Sequence, residues 1–185
     1  MGLVSLVGLS AAFSYLLWRG EEPGGIDDAY ALVFGPADQG PVDFTSLRRT
    51  SAPHDALACP EGACGDARID IVTATYPIAG SALRGIVREV ASLQPGTRIV
   101  YSARWEEEDR YVVRSRLLRF PDTVNVRIFG AGDEGSMLAL YSRSQIGYSD
   151  MGVNERRLRS WLAAIEERVR EAAQPEAARP QVARP

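Results

Sequence analysis

Arginine side chains recur at alternate positions of strand-like segments in the second half of the chain. A guanidinium group binds carboxylate or phosphate through two parallel hydrogen bonds and is always charged. If the strand registers are as the alternation indicates, one sheet face carries Arg114, Arg116, Asn125, Arg127, Met137, Tyr141 and Arg143. This face could hold a carboxylate or an anionic head group. The alternative is an outer sheet face whose arginines pair with acidic residues such as Asp122.

A second cluster of polar residues joins the last strand-like segment to the last helical segment. Its members are Ser142, Ser144, Tyr148, Ser149, Asp150 and Asn154. Asp150 or Asn154 is placed to cap the helix that follows, because short polar side chains accept the free backbone N–H groups of a helix N terminus. The cluster is therefore either part of a ligand site or a helix cap that needs no ligand.

Cys59, Cys64 and the single histidine, His54, lie within one short segment. Three interpretations stay open: a disulfide in an oxidising compartment, two reduced thiols, or a metal site. Two cysteines and one histidine supply three ligands where structural zinc needs four. The Cys-x-x-Cys spacing of redox-active pairs is absent. We therefore predict no metal and no cofactor.

Composition excludes several classes of function. The net charge of -3 argues against a general binder of nucleic acids or anionic membranes. All 21 basic residues are arginine. The sequence contains no nucleophile elbow and no phosphate-cradling glycine loop, so it offers no recognisable catalytic motif.

The elements that must position these residues follow from hydrophobic periodicity. The pattern predicts a strand (Ile69–Tyr76), a helix, about four further strands and a final helix. The final helix has one apolar stripe, formed by Leu158, Trp161, Leu162, Ile165 and Val169. Short links between consecutive strands favour antiparallel pairing. The apolar face that should lie under the helices comprises Val124, Val126, Ile128, Leu138 and Leu140. The predicted fold is α+β, an antiparallel sheet of about five strands with two helices packed on one face.

The first residues form an uncharged apolar run from Gly2 to Trp18. At ~1.5 Å per residue this run reaches ~25 Å, at the short limit for the ~30 Å hydrocarbon core of a bilayer. Residues 1–19 are nevertheless predicted to be an N-terminal transmembrane anchor, with a buried core helix as the alternative. A linker (20–42), a globular domain (43–172) and a disordered tail (173–185) complete the predicted organisation.

Three segments resemble the domain of unknown function 1499 family of bacteria and plastids. They are PHDALACPEGAC (Pro53–Cys64), LLRFPDTVNVRIF (Leu117–Phe129) and YSRSQIGYSDMGVNERRLRSWLAAI (Tyr141–Ile165). They occur in the family's order and, together, cover most of the region from Asp43 to about Val169. His54 stands where the family pattern leads us to expect asparagine. The resemblance implies no activity, because none is established for the family.

We expect a membrane-tethered, non-enzymatic domain that binds a lipid or another amphiphilic anionic ligand at the arginine-bearing face or the polar connector. A scaffold or assembly factor for a membrane protein complex is the alternative, and a hydrolase-like enzyme is the third interpretation. The expected partners are a membrane, a lipid or anionic small molecule, or a membrane protein, but not nucleic acid. The domain would be periplasmic if the cysteines are paired.

Overall fold

The computed structural model describes residues 2–104, 107–130 and 135–173. Four α-helices and seven strands lie in these ranges, together with one 3₁₀ turn at Phe44–Ser46. The helices are α1 (Gly2–Arg19), α2 (Ile26–Phe34), α3 (Gly80–Ser92) and α4 (Val153–Ala173). The strands are β1 (Asp55–Cys59), β2 (Ile71–Val72), β3 (Thr75–Tyr76), β4 (Thr97–Ser102), β5 (Glu108–Arg114), β6 (Pro121–Gly130) and β7 (Ser136–Ser144).

The described strands form one mixed sheet in the order β2-β1-β7-β6-β5-β4, with β3 also paired to β7. The β1–β2 pair is parallel and the other pairs are antiparallel. The predicted antiparallel sheet of about five strands with two helices is therefore wrong. There are two reasons for the difference. Strand β1 lies in a segment with cysteine, proline and glycine, to which the hydrophobic pattern assigned no strand. The predicted strand Ile69–Tyr76 is divided into β2 and β3.

The predicted N-terminal transmembrane helix is also wrong. Residues Gly2–Arg19 do form α1, but no helix in the described part of the chain is both long enough and apolar enough to cross a membrane. At ~1.5 Å per residue, an 18-residue helix is ~27 Å long, short of the ~30 Å core. Serines interrupt its apolar run, and Arg19 ends it.

The main core lies between one sheet face, here called the helix face, and helices α3 and α4. The central sheet residues Val124 and Leu140 are fully buried against Leu83 of α3 and Leu158 of α4. Trp161 of α4 meets the edge of the Tyr111 ring at a centroid distance of 5.7 Å, a favourable aromatic geometry. Arg88 of α3 donates to Asp109 of β5 and to Ser102 of β4, so α3 lies alongside this end of the sheet.

The opposite face, here called the strap face, is covered by the chain itself. Residues 36–47, the N-terminal strap, cross this face, and Phe44 packs with Leu57, Tyr141 and the two cysteines in a second core. Six consecutive residues of β6, Pro121–Val126, are buried as a result. A strand covered on both sides loses the alternation of buried and exposed residues that a solvated face would give it.

Two predicted segments need separate mention. The predicted linker, residues 20–42, contains α2 and the first part of the strap. The predicted disordered tail begins at Ala173, the last residue of α4, and the rest of it lies outside the described residues.

Candidate functional site

The arginines of the predicted ligand face bind the chain's own acceptors. Arg114 lies 2.5 Å from Asp27 of α2. Arg143 donates from Nη2 to the backbone oxygens of Gln39 (2.8 Å) and Gly40 (3.1 Å) in the strap. Asn125 Nδ2 donates to the same Gly40 oxygen at 3.2 Å. Burial lowers the pKa of Arg143. The strap thus takes the place that a ligand would occupy.

The other residues of that prediction are distributed differently. Arg127 pairs with Glu108 on the neighbouring strand. The Tyr141 hydroxyl donates to Asp55 Oδ2 at 2.6 Å, and burial, reinforced by this hydrogen bond, raises the pKa of Tyr141. Arg116 lies exposed beyond the end of β5, in the loop that leads to β6. The structure therefore does not bring Arg116 onto the face with the others.

The connector residues Ser142 and Asn154 form a buried network that joins α4 to the sheet. Ser142 Oγ donates to Asn154 Oδ1 at 2.5 Å. Asn154 Nδ2 donates to Ser144 Oγ and to the His54 backbone oxygen, both at 2.9 Å. Arg157 donates from Nη1 to Ser142 Oγ at 2.9 Å and from Nη2 to Asp122 Oδ2 at 2.5 Å. These groups hold one another in place.

Asp150 caps α4 through its two carboxylate oxygens. Oδ2 accepts from the Asn154 backbone N–H at 2.7 Å, and Oδ1 accepts from the Gly152 N–H at 2.9 Å. Ser149 Oγ accepts from the Met151 N–H at 3.2 Å. The Tyr148 side chain is exposed beside this cap. Satisfying the free N–H groups of a helix start stabilises it by ~1 kcal/mol, so the cap accounts for Asp150 without a ligand.

Cys59 and Cys64 lie at disulfide distance, with their Cα atoms 6.4 Å apart. Both side chains are buried in the second core with Phe44. The pair closes the turn that follows β1. Within the described ranges, no group of three or more His, Cys, Asp and Glu side chains lies close enough together to hold a metal ion.

An open crevice lies elsewhere, between α3 and the edge strand β4. We call it the α3–β4 crevice. Its volume is about 510 Å³, within the range of small-molecule sites. The residues that matter for its chemistry are Arg88 and Ala91 of α3, Thr97, Ile99 and Ser102 of β4, and Tyr111 of β5. None of them belongs to the predicted site.

Two hydroxyl groups in this crevice are buried without a hydrogen-bond partner among the described residues: Tyr111 Oη and Thr97 Oγ1. Tyr111 is only 3% exposed. Burial raises the pKa of Tyr111, and the negative charge of nearby Asp109 raises it further, although the two groups do not meet hydrogen-bond geometry. The hydroxyl therefore stays protonated at neutral pH and can donate or accept a hydrogen bond.

Two arginines of α3 hold a buried carboxylate at one end of the crevice. Asp109 is fully buried and accepts from Arg88 Nε at 2.8 Å and from Arg84 Nη2 at 2.8 Å. Burial by itself would raise the pKa of Asp109, but the hydrogen bonds from Arg88 and Arg84 outweigh it and lower that pKa. The Arg88 side chain remains 42% exposed, and its hydrogen bonds to Asp109 and Ser102 use only Nε and Nη2.

Sequence reasoning missed the crevice because its signal depends on strand register. Tyr111 alternates with Val113 and so has the pattern of an ordinary core residue. Thr97 lies across from Val113, and Ile99 lies across from Tyr111. Only this pairing brings the two hydroxyls to the same face beside α3.

The fold and the crevice define a small α+β domain whose sheet is covered on both faces and has an open crevice beside its β4 edge. A profile of DUF1499, described as a protein of unknown function, matches residues 34–165. The chain belongs to this family, as its three signature segments indicate. No curated protein matches the chain at a significant level.

Solved structures also show similarity to the chain. One is the crystal structure of TTHA0849 from Thermus thermophilus, with 12% sequence identity and a TM-score of 0.33. The match covers 65% of this chain and 99% of that chain. A similarity this low supports no statement about the fold or function of the present chain.

Proposed function

We propose that this chain is a binding domain that holds an amphiphilic ligand with an anionic end in the α3–β4 crevice. The observation that carries the proposal is the pair of buried hydroxyls without partners, Tyr111 Oη and Thr97 Oγ1. A buried hydroxyl that lacks a hydrogen bond costs ~1–3 kcal/mol. A ligand that hydrogen-bonds to both groups would recover this cost on binding.

The remaining contacts of the crevice suit an amphiphile. Ile99 supplies an apolar surface and is 45% exposed. Covering that surface with a hydrocarbon chain is favourable by ~25 cal/mol per Å². Arg88 supplies a partly exposed guanidinium whose Nη1 can donate to a carboxylate. Asp109 keeps this guanidinium in a fixed position.

The strap face is a weaker candidate for the same ligand. Its buried arginines already contact carboxylates or backbone oxygens, as Arg114 does with Asp27 and Arg143 with Gln39. A ligand would have to displace these contacts and the strap together. In the crevice a ligand displaces no existing ion pair, although neighbouring side chains must shift to expose the two buried hydroxyls.

The experiment is a calorimetric titration of the full chain with dodecanoate and, in parallel, with uncharged dodecanol. We expect dodecanoate to bind more tightly than dodecanol. Arg88→Gln should weaken the binding of dodecanoate about tenfold or more, because a charge-assisted hydrogen bond contributes ~1.5–3 kcal/mol. The same substitution should leave the affinity for dodecanol almost unchanged. Arg159→Gln is the matched control, since Arg159 is an exposed arginine on α4.

Amide chemical shifts show where the ligand binds. If the ligand binds in the crevice, we expect the changes in amide chemical shift to concentrate in α3, β4 and β5. Absence of dodecanoate binding, or shift changes confined to the strap face, would overturn it. Equal weakening by Arg88→Gln and Arg159→Gln would also count against a role for the crevice.

A further inference from the structure

Strand β4 lies at the end of the sheet and, in the described part of the chain, pairs with β5 alone. Among the described residues no strand pairs with the other side of β4, which we call the free edge. Unpaired backbone groups on such an edge are a template for another extended chain, and many proteins bind peptides in this way.

The hydrogen-bond pattern shows which backbone groups of β4 point away from β5. The Arg114 N–H donates to the Gly96 oxygen at 2.9 Å, and Thr97 lies across from Val113. Bonded and non-bonded positions alternate in an antiparallel ladder. The Thr97 carbonyl and both the N–H and carbonyl of Ile99 therefore face the free edge, whereas Arg98 bonds to β5.

The free edge and the α3–β4 crevice share residues. Thr97 and Ile99, whose backbones face outward, also line the crevice. Helix α3 runs beside the edge and forms the other wall through Arg88 and Ala91. An extended chain laid against β4 would bond to the edge and place alternate side chains in the crevice.

We propose that the ligand of the crevice is an extended segment of another polypeptide, added to the sheet beside β4. This inference rests on the proposed function, because it names the class of ligand for the same crevice. A peptide backbone can hydrogen-bond to the outward N–H of Ile99 and to the two outward carbonyls, whereas the hydrocarbon chain of a lipid offers them no partner. The lining of the crevice is compatible with either a lipid or a peptide. The outward backbone groups of β4 are what favour a peptide.

The side chains of β4 indicate the composition of the segment. Ile99 and Thr97 face the crevice, and so apolar residues fit on that side. Arg98 alternates with Thr97 and Ile99 along β4, is exposed, and also contributes to the lining of the crevice at its edge. An oppositely charged residue beside Arg98 on the added strand forms a favourable cross-strand pair. The segment is therefore alternately apolar and acidic.

The irregular pairing in β4 limits the length of the added strand. A bulge or register shift lies between Ile99 and Tyr101. Bulges twist an edge and oppose long intermolecular pairing. The regular part, Thr97–Ile99, suits a short motif rather than the edge of a second sheet.

The test is a selection from a random heptapeptide library displayed on phage, with the full chain as bait. We expect the enriched peptides to alternate apolar and acidic residues. With the variant Arg98→Glu as bait, basic residues should replace the acidic ones. Arg159→Glu is the matched control, and it should select the same peptides as the wild-type chain.

Synthetic peptides then test the backbone bonds directly. N-methylation of those alternate residues whose N–H groups face β4 should weaken binding at least about tenfold, while N-methylation of the intervening residues should not. On the protein side, Ile99→Pro removes the outward N–H and should abolish binding. Ile99→Ala keeps that N–H, so this variant should bind the peptide with a smaller loss of affinity. The N-methylated peptides give an answer even if Ile99→Pro does not fold.

Two results would overturn the inference: no peptide enriched above a bait-free control, or enriched peptides insensitive to N-methylation and to Arg98→Glu. Dodecanoate titration separates this failure from that of the proposed function. If dodecanoate binds in the crevice and no peptide does, the crevice is a ligand site for small amphiphiles and the strand-addition inference is wrong.

Discussion

The strap face and the α3–β4 crevice handle polar groups in opposite ways. On the strap face, Arg49, Arg114 and Arg143 are surrounded by carboxylates and backbone oxygens of the same chain. Two atoms of this face, Arg143 Nε and Asn125 Oδ1, have no partner, but both side chains are bonded through their other polar atoms. In the crevice, the buried hydroxyls of Tyr111 and Thr97, the sole polar atoms of their side chains, have no hydrogen-bond partner among the described residues. A polar surface that satisfies itself stabilises the fold, whereas a polar surface left unsatisfied has a cost that a ligand can remove.

The arginine-bearing strap face was expected to be the ligand site, and its contacts argue against that expectation. The strap face has the residues that bind anions, and the chain uses them on itself. The crevice has a mainly apolar sequence signature and contains two buried hydroxyls that no described residue pairs. The number of polar residues on a surface therefore does not by itself locate a binding site.

The largest expected effect is on the strap face. Asp55 accepts two hydrogen bonds from Arg49 and one from Tyr141. Asp55→Ala removes one carboxylate from the buried Arg49 guanidinium, which keeps Asp70, and leaves the Tyr141 hydroxyl without its acceptor, so we expect the free energy of unfolding to fall by ~3 kcal/mol. Urea unfolding measures this change.

The control for Asp55→Ala is Glu155→Ala. Glu155 pairs with Arg159 on the surface of α4, where both side chains are about half exposed. We expect a loss of no more than ~0.5 kcal/mol, as for other exposed helix pairs. Similar losses in the two variants would show that the strap-face contacts are no more than surface pairs.

The disulfide also belongs to the strap face. Cys59 and Cys64 are five residues apart, and closing a loop this short stabilises the fold by ~2 kcal/mol in the chain-entropy account. Replacing both by alanine should lower the free energy of unfolding by about this amount without changing dodecanoate affinity. The double variant should also become insensitive to dithiothreitol. A wild-type chain whose stability does not change on reduction would contradict the pairing.

The next effect is at the end of the crevice, where Asp109 holds Arg84 and Arg88. Because folding lowers the pKa of Asp109, its contribution to stability is complete above its unfolded pKa of about 3.9 and is lost as the pH falls through the folded pKa. Asp109→Asn should lower the free energy of unfolding by ~2 kcal/mol at neutral pH. The difference between the two proteins should shrink in acid; a difference that is constant from pH 7 to pH 3 would contradict this account.

Part of the fold follows from the sequence because some patterns are local. The alternation of Val124, Val126 and Ile128 matches the helix face of β6, and the stripe of Leu158, Trp161 and Ile165 matches the buried side of α4. The strap could not be predicted, because its contacts with Arg143 and Asn125 join residues about a hundred and about eighty-five positions apart. Residues 20–42 are rich in glycine and proline, and this composition predicts a linker where the structure has α2 and the first part of the strap.

The site was harder to predict than the fold. Whether Tyr111 Oη has a partner depends on the β4–β5 register and on the position of α3. Neither can be read from composition or spacing. The arginine pattern showed where anions could bind but did not show that Asp27 and the strap would occupy those positions.

The smallest expected effect is the most direct test of the central claim, which is that the crevice retains unpaired hydroxyls for a ligand. Tyr76 provides a matched control: its hydroxyl is also buried without a partner, burial raises the pKa of Tyr76 to about 12, and it lies outside the crevice. The measurement is the dodecanoate affinity and the free energy of unfolding of Tyr111→Phe and of Tyr76→Phe. Both variants should be more stable by ~1 kcal/mol, and only Tyr111→Phe should bind dodecanoate more weakly. Unchanged affinity in Tyr111→Phe, or an equal loss in both variants, would contradict the account.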